Sequence, residues 1–287
     1  MTTQTNFTWN PYSKTVVLLN AALEILDEFT PRSVRGIYYA LITRGFDVKY
    51  PAVEDMILNA RKAKMIPWSS IVDRHRGIVE YSSWEELSTF KPDAVASYRR
   101  QAWVDQDNYI EVWVEKDALI PILEQICDKY RITIRACRGF DSWGMIWDAV
   151  VRMNRRGAGK YITIIHLSDF DGAGYYMAED LDNRFAFFEV PVMIDHIALT
   201  PDQAKPLIKN PDQKLKPAKG KSKTAILDNR FLAEFGPVAV EVDAIKPADL
   251  QSMVEAAILG YVDVDALNSV LAQESDDRAE LADLLGL

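Results

Sequence analysis

Residues 161–174 read YITIIHLSDFDGAG. A β-rich run predicts a strand over Tyr161–Leu167, and the chain then meets two aspartates, Asp169 and Asp171, before Gly172 and Gly174. Residues i and i+2 of an extended segment point to the same side, so the two carboxylates can be presented together. The glycines permit a tight turn into a following helix. Similar runs lie at Tyr109–Glu115 (YIEVWVE), Arg131–Cys137 (RITIRAC), Val190–Leu199 and Val238–Ile245. Helical spacing fills the intervals at about 117–130, 142–155 and 173–186. That alternation predicts an α/β domain, a mostly parallel sheet with flanking helices, over residues 108–287. Sites in such sheets lie at the C-terminal ends of the strands.

Glu115 closes the first of these strands in VEKDAL, as Asp169 and Asp171 follow the third in HLSDFDGAG. If the two strands are neighbours, three carboxylates converge. Their repulsion is relieved by a hard divalent cation with oxygen ligands, and magnesium, which keeps several waters and binds through one or two carboxylates, suits phosphodiester chemistry. The competing reading is that Asp169 and Asp171 only cap the next helix, a common use of aspartate.

Upstream, helices are expected at about 15–28, 31–44 and 51–64, with Thr30 and Pro31 as a start signal and Gly45 as a stop. The short extended segment IVDRHRGIVEY follows. Periodicity here gives a small helical domain, 1–91, joined by a helix at 92–107 to the sheet domain.

The net charge of −9 is unevenly placed. Residues 231–287 hold twelve acids and two bases, an acidic tail of −10, which leaves +1 for the rest. Residues 199–230 carry +5, and within the exposed loop expected at 205–224 stand Lys214, Lys216, Lys219, Lys221 and Lys223. Such lysines contact phosphates without reading sequence, or form a merely solvated loop. Overall acidity does not exclude nucleic acid, because local patches decide that. The polar N-terminus lacks the apolar core of a signal peptide, and no run of 18 apolar residues exists, so a cytoplasmic, non-membrane protein is expected. Cys127 and Cys137 read as buried reduced thiols, and His166 as a satisfied core residue. GAGKY at 157–161 lacks the first glycine and the Ser/Thr of a phosphate-binding loop, and there is no ATPase motif.

The glutamate after one strand and DxD after a later one resemble the Toprim signature. The stretch SVRGIYYALITRG, residues 33–45, resembles the catalytic-tyrosine segment of topoisomerase VI A subunits and of the related meiotic double-strand-break protein. ARKAKMIPWSSIVDRHR, CRGFDS, IALTPDQ and FGPVAVEVDAI extend the likeness over most of residues 30–260, with Gly36 standing where the family usually has an acid. The resemblance implies an N-terminal winged-helix domain and a C-terminal Toprim domain. It further implies a DNA-cleaving transesterase with Tyr39 as nucleophile, Arg35 beside it, and Glu115, Asp169 and Asp171 on Mg2+, Glu115 doubling as general acid/base. A phenol with a pKa near 10 needs a cation such as Arg35 to favour phenolate. Double-stranded DNA, a homodimer in which each tyrosine serves the partner's metal site, and a separate ATPase subunit are the partners implied. Two further readings stay open: a hydrolytic Toprim nuclease with Tyr39 a packing residue, as the nuclease subunit of the Wadjet plasmid-defence system allows, and a non-catalytic DNA-binding protein.

Overall fold

Four β-strands form one parallel sheet, β1 Asn108–Val114, β2 Thr133–Ala136, β3 Tyr161–Leu167 and β4 Val192–Ala198, in the order β2-β1-β3-β4. A computed structural model describes residues 7–28, 30, 34–71, 82–137, 142–207, 223–245 and 247–287, with the backbone alone for Arg35, Tyr39, Thr43, Lys223, Thr224, Ala225 and Asp243. The strand positions follow from composition. The runs of β1 and β3 are buried on both faces after their first residue, as central parallel strands require. The more polar β2 and β4 stand at the edges, half-buried.

Alternation along β1 sorts the two faces. Ile110, Val112 and Val114, with Ile165 and Leu167 of β3, join one core cluster. Leu123 and Cys127 of α5 (Ile120–Lys129), and Leu250, Val254 and Ile258 of α11 (Pro247–Leu259), cover them. Each such fully buried aliphatic side chain contributes about 1.5–3 kcal/mol. On the opposite face Trp113 meets Phe185 of α8 (Met177–Phe187) with ring centroids 5.8 Å apart. Fully buried Glu111 takes a two-pronged ion pair from Arg152 of α6 (Trp143–Arg156), both contacts 2.7 Å, plus the Tyr109 hydroxyl and the Trp113 indole N–H at 2.8 Å each. The charge is tolerated there because its lone pairs are used.

The chain divides into two compact units, 1–80 with 142–150, and 81–141 with 151–287. In the first, α1 (Ser13–Glu28), α2 (Val34–Thr43) and α3 (Tyr50–Lys62) pack through Leu19, Ile25, Ile37, Leu41, Val53 and Ile57. Gly45, at φ 87°, ends α2 as expected, since a left-handed residue there costs glycine little. Of the extended ribbon expected at 71–81, all but Ile71 lies outside the described residues.

Three expectations need correction. The helix expected at 92–107 is α4, Leu87–Ser97. It stops because the next residues bind α12 (Val264–Leu285): the Arg100 amide donates to Glu274 at 2.8 Å and Arg278 donates to the Tyr98 carbonyl. Val238–Ile245 is not a strand; it makes one antiparallel bridge, Phe170 with Val240, then a 3-10 turn, Val242–Ala244. Its backbone is recruited by the Asp169 turn instead of by a sheet edge. Thirdly, His166 is fully buried but not satisfied, for neither ring nitrogen has a hydrogen-bond partner.

The acidic tail is folded: α11 and α12 bury Leu250, Val254, Leu267 and Val270, and buried Glu274 pairs with Arg131 and Arg278. Cys127 and Cys137 are buried free thiols, as expected. Among the described residues no helix is long and apolar enough to cross a membrane.

Candidate active site

The strand order fixes where a ligand can be met. From β1 the chain moves outward to β2, then returns past β1 to β3, so the sheet's topological switch point falls between β1 and β3. Open α/β sheets bind ligands at that crevice, beyond the C-terminal strand ends. Glu115 and Asp169 are the residues found there. The Glu115 amide donates to the Leu167 carbonyl at 2.9 Å, extending the ladder one residue past β1. Ser168 is tied to β4 by its amide on the Ala198 carbonyl at 2.7 Å, so Asp169 is the first residue free of the sheet.

The two sequence-expected ligands meet directly: the Asp169 amide donates to Glu115 Oε2 at 2.8 Å. Burial pushes the Glu115 carboxyl up to about 7; the Asp169 and Asp171 charges raise it too, while the Asp169 amide and Lys116 oppose them. Burial likewise raises Asp169, against the pull of the Val242 amide and Lys116. Asp171 plays the capping part weighed for it. Its Oδ1 accepts the Gly174 amide at 2.9 Å, opening the short helix α7 (Gly172–Tyr175), while its charge still acts on Glu115 and Asp169.

Gly174 is what lets the carboxylates come together. A Cβ there would overlap the Asp169 carbonyl and stand 2.9 Å from Glu115 Oε2. Its carbonyl is held by the Ser168 hydroxyl at 2.8 Å. That hydroxyl has a single proton to give, so His196 Nε2, 3.1 Å from Ser168 Oγ, is the donor of that pair. Gly172 serves a neighbouring contact: the backbone of Asp228, on α10 (Lys223–Phe235), packs against it at a distance no Cβ would allow. Burial and the Asp171 charge raise the Asp228 carboxyl.

Three residues at the site escaped sequence reasoning. Lys116 Nζ lies 3.1 Å from Asp169 Oδ2 and 2.9 Å from Glu241 Oε2. Glu241 arrives on the segment that bridges Phe170, whose next residue gives its amide to Asp169 Oδ1 at 2.8 Å. Asp228 is the third. Adjacency to Glu115 was the one available signal for Lys116; Asp228 and Glu241 stand over fifty residues from the DxD and are joined to it only by the fold.

Tyr39 and Arg35 fall within α2, where their side chains are not described. The neighbouring Tyr38 packs edge-on to Tyr50, centroids 5.6 Å apart. Lys214, Lys216, Lys219 and Lys221 lie outside the described residues, and Lys223 is the first residue of α10. Among the described residues no group of three or more His, Cys, Asp or Glu side chains is arranged to hold a metal ion. No protein-family model, curated protein or solved structure matches the chain.

Proposed function

We propose that the chain is a magnesium-dependent DNA strand-cleaving enzyme of the topoisomerase VI A type, its first unit a winged helix and its second a Toprim domain. One observation carries this reading: Glu115 and Asp169 meet at 2.8 Å at the switch point of a parallel sheet. The donor chemistry fits magnesium. The oxygens are hard, the Asp169 and Asp171 charges act on Glu115 in a repulsion that a cation would relieve, and Gly174 keeps side-chain bulk out of the space beside Glu115. A site with fewer than three gathered ligands suits an ion that keeps its waters and takes one or two carboxylates. Glu115 and Asp169 would hold it, with Asp171, whose Oδ1 caps α7, adding its charge from beside them, and when bound it would supply charge stabilisation at the phosphate.

The residues' own work follows. The Tyr39 oxygen attacks phosphorus as its proton passes to solvent water. The phosphorus–sugar oxygen bond breaks, and that oxygen takes a proton, for which Glu115 is the candidate donor. Asp169 holds Glu115 in place through its amide. In this reading the enzyme acts on double-stranded DNA as a homodimer and without ATP, which a separate ATPase subunit would handle.

A second reading is a hydrolytic nuclease. It is favoured by the carboxylates and Lys116 all belonging to one compact unit while Tyr39 belongs to the other, so water in place of phenol needs nothing from the first unit. Plasmid cleavage with magnesium, comparing wild type, Tyr39→Phe and Glu115→Gln, separates them. A covalent protein–DNA adduct absent from Tyr39→Phe supports the transesterase. Free ends made equally by Tyr39→Phe support the nuclease. DNA bound but left intact by wild type rejects both in favour of a binding role, and undiminished cutting by Glu115→Gln sinks the site assignment.

A further inference from the structure

At the end of β1, acids from two separate segments converge on Lys116. Asp169 leaves β3, and Glu241 follows α10, yet the ammonium lies 3.1 Å from one and 2.9 Å from the other. Asp169 is nearly buried and fixed through its second oxygen by the Val242 amide. Glu241, by contrast, is 69% exposed, and an exposed pair of that kind adds little to stability. Stability alone therefore does not account for the arrangement. What the pair does is hold a flexible, compact positive charge at the mouth of the site, next to the acids that bind the cation.

The local charge gives that placement a use. Glu115, Asp169, Asp171, Asp228 and Glu241 line this part of the second unit, and a phosphodiester brought among them is repelled. We infer that Lys116 is a catalytic residue: its ammonium leaves Asp169 when a divalent cation takes that carboxylate, and donates to a non-bridging oxygen of the scissile phosphate. Glu241, exposed and near, keeps the ammonium on station during the exchange. The ligand class is a nucleic-acid phosphodiester, and the ammonium offsets negative charge that grows on the phosphate as the bond breaks. This rests on the reading of the acidic site as a phosphodiester-cleaving centre.

The test uses the full chain in three variants, Lys116→Ala, Lys116→Gln and Lys116→Arg, with three readouts. These are magnesium affinity by calorimetry without DNA, single-turnover plasmid cleavage at saturating magnesium, and thermal melting. Lys116→Ala is expected to bind magnesium as tightly as wild type or more tightly, since a competing cation is gone, and to cleave about 100-fold more slowly. Lys116→Arg should recover part of that rate and Lys116→Gln none. If Lys116→Ala fails to fold, Lys116→Gln carries the comparison. Wild-type cleavage by either neutral variant overturns the inference. So does a loss of cleavage that magnesium affinity fully accounts for, because Lys116 would then only position Asp169. Absence of magnesium-dependent cleavage in wild type overturns the parent reading together with this one, a pattern distinct from wild type and neutral variants cutting alike.

Discussion

The amide of Asp169 points at the carboxylate of Glu115 from 2.8 Å, across 54 residues of chain. Neither residue reaches the other by local geometry. β1 and β3 must lie side by side and in register, Val114 opposite Leu167, before the turn that follows can deliver Asp169. The site is thus a product of the sheet, and its integrity can be probed through the residues that shape the turn.

Gly174→Ala is the sharpest of these probes. The added methyl collides with the Asp169 backbone, which is held on either side by the Ser168 and Phe170 amide bonds to Ala198 and Val240, and it crowds Glu115 Oε2. Overpacking of this kind costs about 1–3 kcal/mol. The expected result is a lower melting temperature, with the proposed magnesium-dependent cleavage lost. A variant that melts and cuts like wild type would show that the turn yields easily to a methyl group.

The Glu111–Arg152 pair lies on the same face of the sheet but deeper, away from the strand ends. Arg152→Ala leaves a fully buried carboxylate with only the Tyr109 and Trp113 donors. Breaking one side of a buried pair typically costs about 3–5 kcal/mol. Denaturant unfolding should register a loss of that size; a change below about 1 kcal/mol would mean that water or another cation replaces the guanidinium.

Acid sensitivity should trace to His166. Burial, with the neighbouring His196 adding to it, pushes His166 down to about 3, whereas an unfolded histidine titrates near 6.5. Between those values the unfolded chain holds the extra proton, so stability is present above about 6.5 and falls as the pH drops towards 3. The slope from one such site is about 1.4 kcal/mol per pH unit. Glu115 and Asp169, both raised, act in the opposite sense, so the comparison has to be made at one position. His166→Leu should flatten the acid limb of the stability curve by that slope; an unchanged limb would show the imidazole to be protonated in place.

Lys214, Lys216, Lys219, Lys221 and Lys223 give the fourth prediction. If they bind phosphates, replacing all five with alanine weakens DNA binding and reduces the salt slope by up to about 4.5, at roughly 0.9 for each phosphate no longer neutralised. Fluorescence anisotropy across a salt series measures both. Equal slopes would mark the stretch as solvated and idle.

Much of this arrangement is legible in the chain, for physical reasons. YIEVWVE and YITIIHL are β-rich runs, and burial on both faces is the environment such runs require, so β1 and β3 could be read directly. The positions of Glu115 and Asp169 at strand ends follow from the same runs. Asp171 could be read as ligand or cap, and its bond to Gly174 shows the cap. What was not legible depends on pairing across distance. Val238–Ile245 has the composition of a strand, but the Asp169 carboxylate and Phe170 claim its backbone groups. Helical propensity near residue 98 gives way to the carboxylates of Glu274 and Asp277, more than 170 residues on. His166 sits on an apolar strand, and no local pattern reveals that its nitrogens go unmatched.

The span holding the lysines begins and ends at fixed points. Leu207 packs against the sheet core before it, and α10 rests on Gly172 after it. Lengthening a loop between clamped ends is thermodynamically inexpensive, about 0.6 kcal/mol for each doubling. Insertions and deletions between 208 and 222 should therefore be well tolerated by the fold. If its lysines bind phosphates, a designer can change the length of that span to retune the hold on nucleic acid while leaving the carboxylates at the sheet undisturbed.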